Sequence, residues 1–148
     1  MKALLDTNFW IALTLDTHPG HVLAITWHAN APLGRGSLLF CRHTELSFLR
    51  LTTQEATMQA FGKKPFSNTE AARFLASVQA DPTVAAVPET PGTKDLWLKL
   101  AASSTPSPKV WMDAYLAASA IQSGVELLTF DKGFRKFEKA GLHLRLLE

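Results

Sequence analysis

The chain alternates short apolar runs with longer segments of helical periodicity. Lys2-Ala3-Leu4-Leu5-Asp6-Thr7-Asn8 predicts a short buried strand that ends in polar turn residues, and Phe9-Trp10-Ile11-Ala12-Leu13 continues it as a helix. A second helical pattern runs from Pro19 to about Ala29. Leu38 to Cys41 predicts a second buried strand, and a third helix carries His43-Thr44-Glu45-Leu46-Ser47-Phe48-Leu49-Arg50-Leu51. Ser67 and Glu70 have capping-box spacing ahead of Ala71, Phe74, Leu75 and Val78, which marks a helix start, and Asp81-Pro82 ends it. Val84 to Val87 is a third strand and Thr93 to about Ala102 another helix, followed by the polar loop Ser103-Ser104-Thr105-Pro106-Ser107-Pro108. A helix from Val110 to Ser123 then stops at Gly124 and leads into the strand Val125 to Thr129. A short helix from Lys132 to Ala140, a stop at Gly141 and a last strand from His143 to Leu147 close the chain.

Strands alternating with helices predict an α/β fold, a mainly parallel sheet covered on both faces. The 148 residues suffice for one hydrophobic core, so a single domain over 1–148 is expected. Hydrophobic residues at 47% and charged residues at 19% are a globular balance and exclude a disordered chain. The net charge of +2 is too small to announce a polyanion binder in bulk, so any nucleic-acid contact must come from local clustering. Cys41 is the single cysteine, which excludes an internal disulfide or a cysteine-based zinc site and fits a reducing cytoplasm. No stretch has the features of a signal peptide or the length of a membrane span.

The acids change the picture. Asp6 and Asp131 each follow a strand, and in an open parallel sheet ligands bind beyond the carboxyl ends of strands. Each also precedes a helix, so either is equally readable as an N-cap. Asp113 has Leu116, Ala117 and Ala120 at plus three, four and seven, which puts its carboxylate on the apolar face of its helix. Glu45, with Phe48 and Leu49 at plus three and four, shows the same pattern; the alternatives are a solvated edge or a partner for Arg42 or Arg50. Carboxylates converging at one sheet edge are the hard oxygen donors that magnesium and manganese prefer, and such ions serve phosphoryl chemistry.

Four segments carry a resemblance. Leu4-Leu5-Asp6-Thr7-Asn8, Thr44-Glu45-Leu46-Ser47-Phe48-Leu49-Arg50-Leu51, Met112-Asp113-Ala114-Tyr115-Leu116-Ala117-Ala118 and Leu128-Thr129-Phe130-Asp131-Lys132-Gly133-Phe134 resemble, in order and spacing, the acidic motifs of the PIN-domain family, and within it the VapC toxins of toxin–antitoxin pairs. The resemblance implies a three-layer α/β/α fold and RNA cleavage dependent on Mg2+ or Mn2+. It also implies a VapB-like antitoxin partner and a homodimer. Asp6, Glu45, Asp113 and Asp131 would be the catalytic acids, with Asp6, Asp113 and Asp131 holding metal and Thr7, Asn8 and Thr129 supporting them. Lys109, Val110 and Trp111 stand where some relatives carry a further acid, which leaves one or two metal ions open.

Lys132, Arg135, Lys136 and Lys139 cluster after Asp131 and are candidate contacts for RNA phosphates, or else a solvated helix face. His18, His21 and His28 lack a fourth ligand and read as surface or helix-end residues rather than a zinc site. Trp10, Trp27, Trp97 and Trp111 read as core or interface residues. Two other functions compete. A haloacid-dehalogenase-type phosphatase would need an acid where Asn8 stands, and a catalytically weak RNA- or antitoxin-binding module would keep the acids for structure alone.

Overall fold

Three consecutive buried apolar residues, Ala3–Leu5, form β1, the central strand of a five-stranded sheet in the computed structural model, which describes residues 1–148. β2 (Leu38–Cys41) and β4 (Glu126–Thr129) flank it, and β3 (Val84–Val87) and β5 (Leu144–Leu146) form the edges, in the order β3-β2-β1-β4-β5. Every pairing is parallel. Successive strand residues face opposite sides, and they divide between two cores accordingly. Ala3, Leu5, Leu38, Phe40 and Leu128 belong to one, Leu4, Leu39, Cys41 and Leu127 to the other.

The first core is completed by Phe9 and Trp10 of α1 (Thr7–Thr14), Ala24 of α2 (His21–Asn30), Phe48 of α3 (Arg42–Thr53), Met58 of α4 (Glu55–Ala60) and Leu75 of α5 (Asn68–Gln79). The second takes Ala101 of α6 (Thr93–Ala101), the small face Ala114, Ala117 and Ala120 of α7 (Val110–Ser123), and Phe134 and Phe137 of the segment Lys132–Ala140. The layers are therefore α/β/α, as the alternation of strands and helices predicts.

Local signals account for several boundaries. Ser67 Oγ accepts the Glu70 N–H and Glu70 Oε1 accepts the Ser67 N–H, both at 3.1 Å, which closes the expected capping box of α5. Gly124 takes a left-handed conformation (φ +66°) and ends α7, a position where a side chain would strain the turn. Two elements depart from expectation. α4 is six residues long with only Met58 buried, too short to show a periodicity. Lys132–Ala140 is a 3-10 helix, in which Phe134 and Phe137, three residues apart, share the inner face.

The chain runs outward from β1 through β2 to β3 and then crosses to β4 on the opposite side of β1. The strand order thus reverses between β1 and β4, and a crevice opens at their carboxyl ends. No helix is long and apolar enough to cross a membrane.

Candidate metal centre at the ends of β1 and β4

Asp6 directly follows β1 and occupies the N-cap position of α1, in extended conformation, yet its side chain makes no capping hydrogen bond. Its Oδ2 instead accepts the hydroxyl of Thr129 at 2.8 Å, and the Thr129 oxygen accepts the Asp131 backbone N–H at 3.0 Å. Thr129 is fully buried at the end of β4, so one hydroxyl ties the two strand ends together. The simple capping role is therefore excluded for Asp6. Asp131 does cap: its Oδ1 accepts the Gly133 N–H at 2.7 Å at the start of the 3-10 segment. That approach depends on glycine, because a Cβ at position 133 would stand 2.9 Å from the same oxygen.

Burial pushes the Asp6 carboxyl above its ordinary range; the Thr129 hydroxyl and the Thr7 backbone N–H pull it down, and the charges of Asp113 and Asp131 raise it again. Asp113, in the first turn of α7, is likewise raised by burial and by Asp131, and lowered by the Lys136 ammonium. The three acids, which come from β1, α7 and β4, therefore share one electrostatic environment. Lys136 is the cation that acts on Asp113 within it.

Glu45 has polar contacts of its own. Glu45 lies in the first turn of α3, one strand over, where its carboxylate accepts the Gln79 amide at 3.0 Å and pairs with Arg42 at 3.4 Å. The apolar stripe places Glu45 half-buried as expected, and its partner Gln79 comes from a helix 34 positions on, which no local pattern reveals. Of the cations, Lys132 and Arg135 pair with Glu148 at 3.2 and 3.7 Å, and Lys139 is exposed. Lys136 lies 5.1 Å from the Phe137 ring centroid. Thr7 is buried, and Asn8 is exposed with its Oδ1 held by His18. His18 itself is 8% exposed, contrary to the surface or helix-end role expected of it.

No group of three or more His, Cys, Asp or Glu side chains stands at metal-binding spacing. The donor chemistry nevertheless fits a hard divalent cation. The acids offer oxygen ligands alone, Asp6 has no ion-pair partner, and magnesium is commonly held by one or two carboxylates with water completing the shell. Asp6, Asp113 and Asp131 are the residues that would hold it.

The family model described as the PIN domain matches residues 3–140. The chain belongs to the PIN-domain family. Among its relatives, the Ribonuclease VapC41 of Mycobacterium tuberculosis is 43% identical over 147 residues, covering 97% of each chain, and the Ribonuclease VapC31 of the same organism is 30% identical over 141 residues, covering 90% of this chain and 92% of the relative. Within the PIN family it is thus of the VapC type. The solved structure of Mycobacterium tuberculosis VapC20, described as a toxin that cleaves the sarcin-ricin loop, superposes with a TM-score of 0.65 at 20% identity, covering 95% of this chain and 96% of that one. VapBC2 from Rickettsia felis, bound to a promoter DNA fragment, gives 0.60 at 13% identity with both chains fully covered. These distant structures share the fold.

Proposed function

We propose that this protein is the endoribonuclease toxin of a toxin–antitoxin pair, hydrolysing RNA phosphodiester bonds at a carboxylate site that binds Mg2+ or Mn2+. The observation that carries the assignment is the half-buried Asp6 at the β1/β4 switch point, desolvated and set against the charges of Asp113 and Asp131 with no paired cation of its own. A bound divalent ion supplies an activated water and neutralises charge on the scissile phosphate and the leaving oxygen. Asp6, Asp113 and Asp131 would hold that ion. Thr129 fixes the Asp6 oxygen and the Asp131 backbone relative to one another, and Thr7 favours the ionised Asp6 through its N–H. Glu45 is the fourth acid, at the flank of the site. Lys136 lies beside the acids to meet a phosphate, whereas Lys132 and Arg135 must first leave Glu148.

The partners follow from the same assignment. A VapB-like antitoxin blocks the site in the cytoplasm, with its tail across apolar helices and a basic side chain aimed at the acids. A homodimer is supported by the exposed Leu46, Trp111 and Met112, which line one apolar hollow with Trp97 and Tyr115. Purified protein freed of antitoxin should cut cellular RNA with magnesium or manganese, and Asp6→Asn protein should cut on the order of a thousandfold more slowly. Equal growth arrest by wild-type and Asp6→Asn protein, with no cleavage by either, overturns the assignment. Co-expression with the adjacent small gene, followed by sizing, tests the antitoxin and the dimer together.

A further inference from the structure

His18 has a hydrogen-bonding arrangement that leaves one choice of proton. The Gly20 backbone N–H, which can only donate, lies 2.9 Å from His18 Nδ1, so that nitrogen is the acceptor and the imidazole proton sits on Nε2. Nε2–H then donates to Asn8 Oδ1 at 2.9 Å. The ring is held on its other sides by Phe61, at a centroid distance of 4.7 Å, and Phe130, at 6.4 Å and nearly parallel. Gly20 cannot be replaced without disturbing this packing, since a Cβ there would meet Phe130 at 2.9 Å. Phe130 itself lies between Thr129 and Asp131, and Asn8 is two residues beyond Asp6. Two of the ring's four contacts, Asn8 and Phe130, therefore belong to segments that carry the acids.

The consequence concerns Asn8. With Oδ1 committed to His18, the amide cannot rotate to present its oxygen, and its NH2 group, which has no partner within the protein, is offered on an exposed residue of the first turn of α1. We propose that His18 is a positioning residue for RNA cleavage, holding the Asn8 amide so that its N–H donors grip a phosphate oxygen of the RNA strand lying at Asp6. The proposal rests on the ribonuclease assignment and on Asp6 as its centre. A group that acts by orienting a ligand-contacting side chain typically matters by about tenfold to a hundredfold.

The test is a double-mutant cycle on single-turnover cleavage of total cellular RNA with manganese, with the RNA affinity of each protein measured alongside. His18→Phe keeps the ring packing and removes both nitrogens; it should slow cleavage about tenfold to a hundredfold. Asn8→Ala should do the same, and His18→Phe should add nothing in the Asn8→Ala background. His18→Gln, which can still donate to Asn8 Oδ1, should restore most of the rate. Independent of activity, long-range 15N–1H spectra of the Asp6→Asn protein should show His18 as the Nε2–H tautomer. Wild-type cleavage by His18→Phe, multiplicative losses in the double mutant, or an Nδ1–H tautomer each overturn the proposal. If His18→Phe does not fold, the His18→Gln rate and the tautomer decide it. Asp6→Asn is the control that separates the two claims: undiminished cleavage by that protein defeats the site assignment, whereas a dead Asp6→Asn protein with an unaffected His18→Phe defeats the positioning role alone.

Discussion

Replacing Thr129 by valine removes one oxygen and changes little else in shape. In the native protein that oxygen donates to Asp6 Oδ2 at 2.8 Å and accepts the Asp131 N–H at 3.0 Å. A hydrogen bond to a charged group contributes about 1.5–3 kcal/mol, and a buried N–H left without a partner costs about 1–3 kcal/mol. Asp131 is exposed, so water recovers part of the second loss, and a total near 2–4 kcal/mol is expected. For a chain of this size that corresponds to a fall in melting temperature of about 5–15 °C. The sign with pH follows from Asp6. The Thr129 hydroxyl favours the ionised carboxylate, so its contribution is full where Asp6 is charged and shrinks as the pH falls through the titration of that group, which burial has moved above the usual range. Thr129→Ser keeps the hydroxyl and gives up one methyl, about 0.8 kcal/mol. Thermal melts by circular dichroism in metal-free buffer at neutral and acid pH compare the three proteins. If Thr129→Val melts within about 2 °C of Thr129→Ser at neutral pH, the hydroxyl bridge is not what joins the strand ends.

Asp6→Asn should melt at the same or a higher temperature than the wild type in metal-free buffer, because a carboxyl raised in the fold is less stable ionised there than in the unfolded chain, and this advantage should vanish below the ordinary carboxylate pKa; a clearly lower melting temperature at neutral pH contradicts it. Manganese affinity measured by calorimetry should weaken with falling pH, beginning above the ordinary carboxylate range, since protons compete at the raised Asp6 and Asp113; affinity that stays flat down to that range counts against both as ligands. Gly133→Ala should displace Asp131 Oδ1, cost about 1–3 kcal/mol in a denaturant melt and slow cleavage; an unchanged midpoint and rate would show that the close approach is dispensable.

The alternation of apolar strand and helix, the capping box at Ser67 and Glu70 and the glycine stop at Gly124 are local features, with their physics contained within a few neighbouring residues. They were legible in the one-dimensional chain for that reason, and so was the parallel α/β/α architecture. The strand-end positions of Asp6 and Asp131 and the inward face of Asp113 were legible in the same way. Their union was not. Asp6 and Thr129 are 123 positions apart and meet only because β1 pairs with β4. Local pattern could not tell a cap from a ligand at Asp6 or Asp131, because both roles place an acid between strand and helix; in the fold Asp6 bonds the Thr129 hydroxyl instead of capping, and Asp131 caps through one oxygen. Glu45 has the same apolar pattern as Asp113, yet packing sets it against Gln79 and Arg42. By itself the sequence determined that Asp6 and Asp131 stand at strand ends and that Asp113 lies on an apolar helix face, since those follow from periodicity. Tertiary structure alone decided which of them share a field, because charge acts through distance in space.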